Sequence, residues 1–257
     1  MRSRPYIGIN GVMKPQEVTE AIRHFDAPHG RSLMVGTVAT YKSLRGIPMK
    51  EYWAQQTPSL ERVQEIFLAG AGRGALNLVH YSADASDRRW FCKDMLEIVS
   101  TIGDSLDGFQ LNMVWPSWQF LSAFHTLTPG RRRHIVLQIG NAAVAQVGGR
   151  PSMLVRILKS YVDLVDHVLL DASGGQGKPL NTAWALQYLR AMRDAGLPFE
   201  LGVAGGLGPY TMGPIKELIH EFPNLSWDAQ RLLRNAENEL DPDFVNRYLE
   251  ESCAILR

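Results

Sequence analysis

Short apolar runs recur along this chain at an interval of about thirty residues, the length of one strand-and-helix unit. They begin near Tyr6, Leu33, Ala75, Asp107, His134, His167, Phe199 and Asn224. Between them lie segments with helical periodicity, for example residues 15–25, 60–68 and 151–165. Ser59 precedes the second of these as an N-cap, and Asp241-Pro242 sets an N-cap before a first-turn proline. Gly70, Gly103 and Gly196 fall where helices end and a left-handed residue is needed. Strands alternating with helices in this way predict a parallel sheet with crossover helices.

Eight such units close naturally into a (β/α)8 barrel, for which 257 residues is a typical length. A doubly wound open sheet is the alternative. With 45% hydrophobic residues there is enough apolar surface for one large core. No linker, low-complexity tract or charge block divides the chain, so residues 1–257 read as one barrel domain.

Composition excludes several function classes. A formal net charge of +1 gives no reason to expect nucleic acid or an anionic membrane as partner. The one basic cluster, Arg131-Arg132-Arg133-His134, reads as a solvated loop or an anion contact. Two cysteines, Cys92 and Cys253, make no disulfide framework and suit a reducing compartment. The amino terminus lacks the apolar core of a signal peptide, and no run approaches the roughly 18 apolar residues of a membrane helix. A cytoplasmic protein is expected. The six tryptophans are assigned mostly to the core by default.

Two stretches carry the chemistry. Residues 167–177 run through Val168-Leu169-Leu170-Asp171 into Gly174-Gly175-Gln176-Gly177-Lys178. Residues 199–208 run through Val203-Ala204 into Gly205-Gly206-Leu207-Gly208. Glycines at a strand end let the backbone approach a ligand, and amides at a helix start can cradle an oxyanion. An oxyanion is therefore expected between these loops, at the start of the helix after Gly206. Asp171 at a strand terminus suits general acid work, if desolvation raises its pKa, or the capping of the next loop. His80 also stands at a strand end, facing the pocket or hydrogen-bonded at the barrel top. Long connections over residues 40–58 and 228–240 lie on the face where barrel enzymes bind substrate. The first carries Tyr41, Lys42, Arg45, Tyr52 and Trp53. No dinucleotide fingerprint, nucleophile elbow or metal-ligand spacing is present, so no cofactor or metal is expected.

At these residues the chain resembles the phosphoribosylanthranilate isomerase family. Leu169-Leu170-Asp171 with Gly174-Gly175-Gln176-Gly177 is similar to its Leu-Leu-Asp and Gly-Gly-x-Gly pattern. Ala204-Gly205-Gly206-Leu207-Gly208-Pro209 resembles its Ala-Gly-Gly-Leu-x-Pro, Lys42-Ser43-Leu44-Arg45 its Lys-Ser-x-Arg, and residues 9–15 its Ile-Cys-Gly-Leu-Thr-x-Pro. The resemblance implies a (β/α)8 isomerase of tryptophan biosynthesis, an aldose–ketose type of intramolecular oxidoreductase. Asp171 would be the general acid, Arg45 would hold the anthranilate carboxylate, and Gly174, Gly175, Gly177, Gly205 and Gly206 would cradle phosphate.

Two positions depart from the pattern. The family's catalytic cysteine falls on Asn10, an amide that can orient a hydroxyl but cannot act as a base. The Ser-Ser-Gly phosphate loop is replaced by Trp227-Asp228-Ala229-Gln230-Arg231, where Arg231 would have to offset the carboxylate. A new base is then needed, and Asp84, His80 or Lys178 could supply it. The expectation is a barrel acting on a phosphorylated sugar or related small anion by acid/base isomerisation. A different isomerase or lyase on the same scaffold, or a noncatalytic barrel that binds a phosphate ligand, are the alternatives.

Overall fold

Strands buried on both faces show continuous apolar runs instead of alternation, and this governs the sheet seen here. The structure is a computed structural model that describes residues 4–26, 30–83, 90–128, 130–171 and 173–257. The described residues contain β1 (Tyr6–Asn10), β2 (Ser32–Thr40), β3 (Ala75–Ser82), β4 (Gly108–Asn112), β5 (His134–Gly140), β6 (His167–Asp171), β7 (Glu200–Ala204) and β8 (Ser226–Ala229). Each begins within two residues of its expected start. All pairs are parallel, and β8 closes on β1 with Ile7 opposite Trp227 and Ile9 opposite Ala229. The expected (β/α)8 barrel is present, and the open sheet is not.

A helix follows each strand, with local signals close to those anticipated. The Ser59 side chain accepts from the Arg62 amide at the start of Leu60–Gly70. Asp241 accepts from the amides of Asp243 and Phe244 at the start of Pro242–Ala254. Gly103 and Gly196 take positive φ, 69° and 64°, as helix ends require. Gly70 does not; it is the last helical residue, and a Cβ there would lie 3.0 Å from both Ala75 and Asn77. Close packing on β3, not a left-handed cap, demands that glycine. The 151–165 segment is α-helical only over Pro151–Leu158, then tightens to a 3-10 turn over Lys159–Tyr161.

The barrel interior is layered. An inner apolar belt of Met34, Leu78, Val136, Leu169 and Ala204 packs with Tyr6. Side chains alternate along a strand, so the residue two positions beyond an inward-facing one also faces inward. That step leads from Leu78 to His80, from Val136 to Gln138 and from Leu169 to Asp171. The upper layer is polar. The other rim is polar too, and its arginines are tied to neighbouring acids or carbonyls. Arg131 bonds Asp107, Arg132 bonds Asp166, and Arg133 is buried with its guanidinium donating to the Leu106 carbonyl. The basic cluster is therefore a set of ties beneath the barrel. Of the six tryptophans only Trp227 is fully buried, whereas Trp118 is 46% exposed. No helix among the described residues is long and apolar enough to cross a membrane.

Candidate active site

A cavity of about 460 Å³ opens at the carboxyl ends of the strands. Its floor is the upper polar layer: Asn10 from β1, His80 from β3, Gln110 from β4, Gln138 from β5, Asp171 from β6 and Asp228 from β8. Asp171 lies opposite Ala204 in register, and Ala204 lies opposite Asp228, so the two carboxylates flank one small residue. Gly8, opposite Asp228, has no room for a side chain: a Cβ would fall 2.5 Å from Met34 and 2.6 Å from Asp228.

The amides of the floor form a directed chain. Gln138 Nε2 donates to Asp171 Oδ2 at 2.8 Å, Gln110 Nε2 to Gln138 Oε1 at 3.1 Å, and Asn10 Nδ2 to Gln110 Oε1 at 3.4 Å. A carboxylate that only accepts fixes which end of Gln138 faces it, and that choice propagates through both neighbours. Asp171 Oδ1 accepts from the Ser173 amide at 2.8 Å. Both oxygens of this buried group are thus held by donors. Asn10 is also buried, with Oδ1 unpartnered and pressed against Gly36, where a Cβ would lie 1.7 Å away.

The group that burial perturbs is Asp228. Desolvation, and next the charge of Asp171, raise it from 3.8 to about 7, opposed by the amides of Gln110 and Asn10. Its Oδ2 is buried without a hydrogen-bond partner. His80 moves the other way: burial lowers it to about 4, outweighing the pull of the Asp171 charge. At neutral pH the floor holds an uncharged imidazole and a carboxyl poised to gain or lose a proton.

The two long connections roof this floor. The 40–58 segment contains short helices over Tyr41–Leu44 and Glu51–Ala54 and brings Tyr41, Lys42, Lys50, Tyr52 and Trp53 to the cavity. The fully buried Gln56 clasps it to the 228–240 segment. Gln56 donates to Asn238 at 2.8 Å and accepts from Gln230 at 2.8 Å, while Asn238 donates to the Tyr52 carbonyl at 2.8 Å. Arg231 stacks on Tyr52 at 5.3 Å and donates to the Gly175 carbonyl at 3.3 Å. Trp53 lies against Gly175, where a Cβ would come within 3.2 Å of its ring.

The expected site residues divide accordingly. Asn10, His80, Asp171, Gly174, Gly175, Gly177, Gly205, Gly206 and Arg231 line one cavity. The five glycines all take positive φ, between 59° and 97°. They do not run straight into helices, however: the helices that follow span Thr182–Asp194 and Gly213–Ile219, so neither glycine pair is a helix start. Arg45 does not join the cavity. It pairs with the fully buried Asp94 and with Glu97 and lies over Trp90, because a buried carboxylate needs a counter-charge and takes the nearest guanidinium. Lys178 is exposed and outside the cavity lining; its backbone carbonyl, not its amine, meets the β7 loop, 2.3 Å from where a Gly206 Cβ would be. Asp84 lies outside the described residues.

Gln110 and Gln138 went unread as site residues. Their signal was available: a glutamine inside an otherwise apolar strand, in the inward phase. Among the described residues no group of three or more histidine, cysteine or acidic side chains is arranged to hold a metal ion.

No family model and no curated protein matches the sequence. Among solved structures the chain is similar to phosphoribosyl anthranilate isomerase from Thermococcus kodakaraensis, at 13% identity and a TM-score of 0.61, over 98% of this chain and 99% of that one. It is also similar to D-psicose 3-epimerase from Clostridium cellulolyticum H10, solved with D-tagatose, at 13% identity and a TM-score of 0.52, over 98% of each chain. At such identities the likeness shows the barrel fold alone.

Proposed function

We propose that this protein is an acid/base isomerase acting on a small phosphorylated sugar. The observation that carries the reading is Asp228, a buried carboxyl raised to about 7 with one oxygen unpartnered, beside Asp171 in one cavity. A buried carboxyl raised toward neutral pH, beside a second carboxyl with donors on both oxygens, can serve with it as acid and base. The assignment follows from their partners. Asp171, with donors on both oxygens, takes the role of proton acceptor. Asp228 carries the proton, the part that the family resemblance put on Asp171. Asn10 orients the substrate and needs no base strength. The positive-φ glycine loops and Arg231 would receive the phosphate, and a protonated Asp228 removes the like-charge conflict that a carboxylate there would bring.

The test is solvent exchange. The protein is incubated in D2O with a panel of pentose and hexose phosphates while proton NMR follows the carbon-bound hydrogens. At least one compound should lose a single C–H signal, and D228N and D171N should each slow that loss by roughly 10²–10⁴-fold. A panel with no exchange, or unchanged exchange in D228N, refutes the reading.

A further inference from the structure

Among the described residues, two kinds of histidine lie in or against the barrel wall. His134 and His167 contact each other through ring nitrogens at 3.0 Å, and His125 meets the Leu164 carbonyl at 3.0 Å; His167 Nε2 and His125 Nδ1 are buried without a partner, but none of the three residues lines the cavity. His80 lines the cavity instead, and its Nδ1 is buried with no partner among the described residues. Nε2 is then the nitrogen left to meet a ligand. β3 fixes the ring from beneath, since His80 follows the inward-facing Leu78 by two residues and sits in register between Val38 and Gln110.

The charged groups around the same cavity are Asp171 from β6, Asp228 from β8, and Lys42, Lys50 and Arg231 from the roof. None forms an ion pair with His80 that would hold it as an imidazolium, and burial keeps the ring neutral down to about pH 4. A neutral imidazole can polarise a carbonyl as a hydrogen-bond donor and stabilise the oxyanion that develops there.

We propose that His80 is a third catalytic group of this cavity, donating from Nε2 to the substrate's carbonyl oxygen, and that the substrate is an α-hydroxy aldehyde or ketone. The inference rests on the acid/base reading above. In the step it implies, Asp171 removes the proton from the hydroxyl-bearing carbon beside the carbonyl. The C–H electron pair forms the new C=C bond, and the carbonyl π pair moves to its oxygen, which takes the proton from Asp228. The His80 proton stays on nitrogen throughout. In the second half the neighbouring hydroxyl returns a proton to Asp228, and Asp171 delivers its proton to the former carbonyl carbon. Both carboxyls end as they began.

The experiment compares H80L and H80Q with wild type in the deuterium-exchange assay, alongside nitrogen NMR of the histidine rings in the unliganded protein. H80L should lower the exchange rate by about 10²–10³-fold with little change in KM, and H80Q, which keeps a donor, should recover part of it. The His80 ring should stay neutral from pH 8 to pH 5. Wild-type exchange in H80L, or a His80 ring that titrates between pH 6 and 7, overturns the role of His80 while leaving the carboxyl pair standing. Silence of the wild type on the whole panel overturns both, and the ring titration reads the imidazole's state independently of any substrate.

Discussion

The two ends of the barrel interior both hold titratable side chains, and they treat them in opposite ways. At the amino-terminal end two arginines are matched with carboxylates, Arg131 with Asp107 and Arg132 with Asp166. Asp166 also accepts from the Ile135 amide at 2.8 Å, and the third arginine, Arg133, donates to a backbone carbonyl with its Nε left buried and unpartnered. At the carboxyl end Asp228 Oδ2, Asn10 Oδ1 and His80 Nδ1 are buried without partners, and all three residues face one cavity. Unpaired atoms alone do not mark a site, since Tyr6 Oη and His167 Nε2 are also unpartnered yet neither residue lines the cavity. Polar groups become available to a ligand where incomplete pairing and an opening coincide. The lower end spends its charges on holding the strands together, and the upper end keeps them at a cost in stability.

The comparison is broken most directly at Asp228. A carboxyl raised from 3.8 to about 7 binds more protons folded than unfolded, so its contribution is fully present below pH 4 and lost as pH rises toward 7. The shift corresponds to about 4 kcal/mol. D228N should therefore be more stable than wild type at pH 8 by up to that amount, with little gain at pH 4, while losing activity. Urea unfolding at the two pH values checks this, and equal stability of variant and wild type at pH 8 would mean that Asp228 is not held at a cost.

His80 should show the reverse window. Its ring is lowered from 6.5 to about 4, so its contribution is present above pH 6.5 and lost as pH falls toward 4. That shift is worth about 3 kcal/mol. Burial lowers His134 and His167 as well, so both ends share in acid destabilisation. H80L should recover the upper end's share at pH 4 and leave that of the lower pair. Thermal melts from pH 7.5 to pH 4 measure the difference, and overlaid profiles would argue that His80 ionises freely in the folded protein.

The smallest effect is expected at the paired end. D166A removes the partner of Arg132 and leaves the buried-strand amide of Ile135 without its acceptor. A loss of roughly 1–3 kcal/mol is expected, with the deuterium-exchange rate per folded molecule unchanged. A drop in that rate would show that the two ends are coupled through the barrel.

Several of these features were legible in the chain as written. Continuous apolar runs such as Val168-Leu169-Leu170, punctuated by glycines and capped helices, suffice for the barrel, because strand and helix signals are local. The same locality exposed Asp171 at a strand end and the glycines beyond it. Arg45 shows where that reasoning stops: its motif context is local, but its partner Asp94 comes from the helix after the next strand, and a buried carboxylate claims its counter-charge through space. Asp228 shows the same limit. Neither its proton affinity nor that of His80 is written in neighbouring residues, since both depend on how closed the barrel is and on the charge of Asp171, and that of Asp228 also on Gln110 and Asn10. Strand positions and Asp171 as a strand-end carboxyl belonged to the sequence; the raised proton affinity of Asp228, the pairing of Arg45 away from the cavity and the placement of His80 in it belonged to the closed barrel, because desolvation and charge pairing act across distances that chain neighbours do not span.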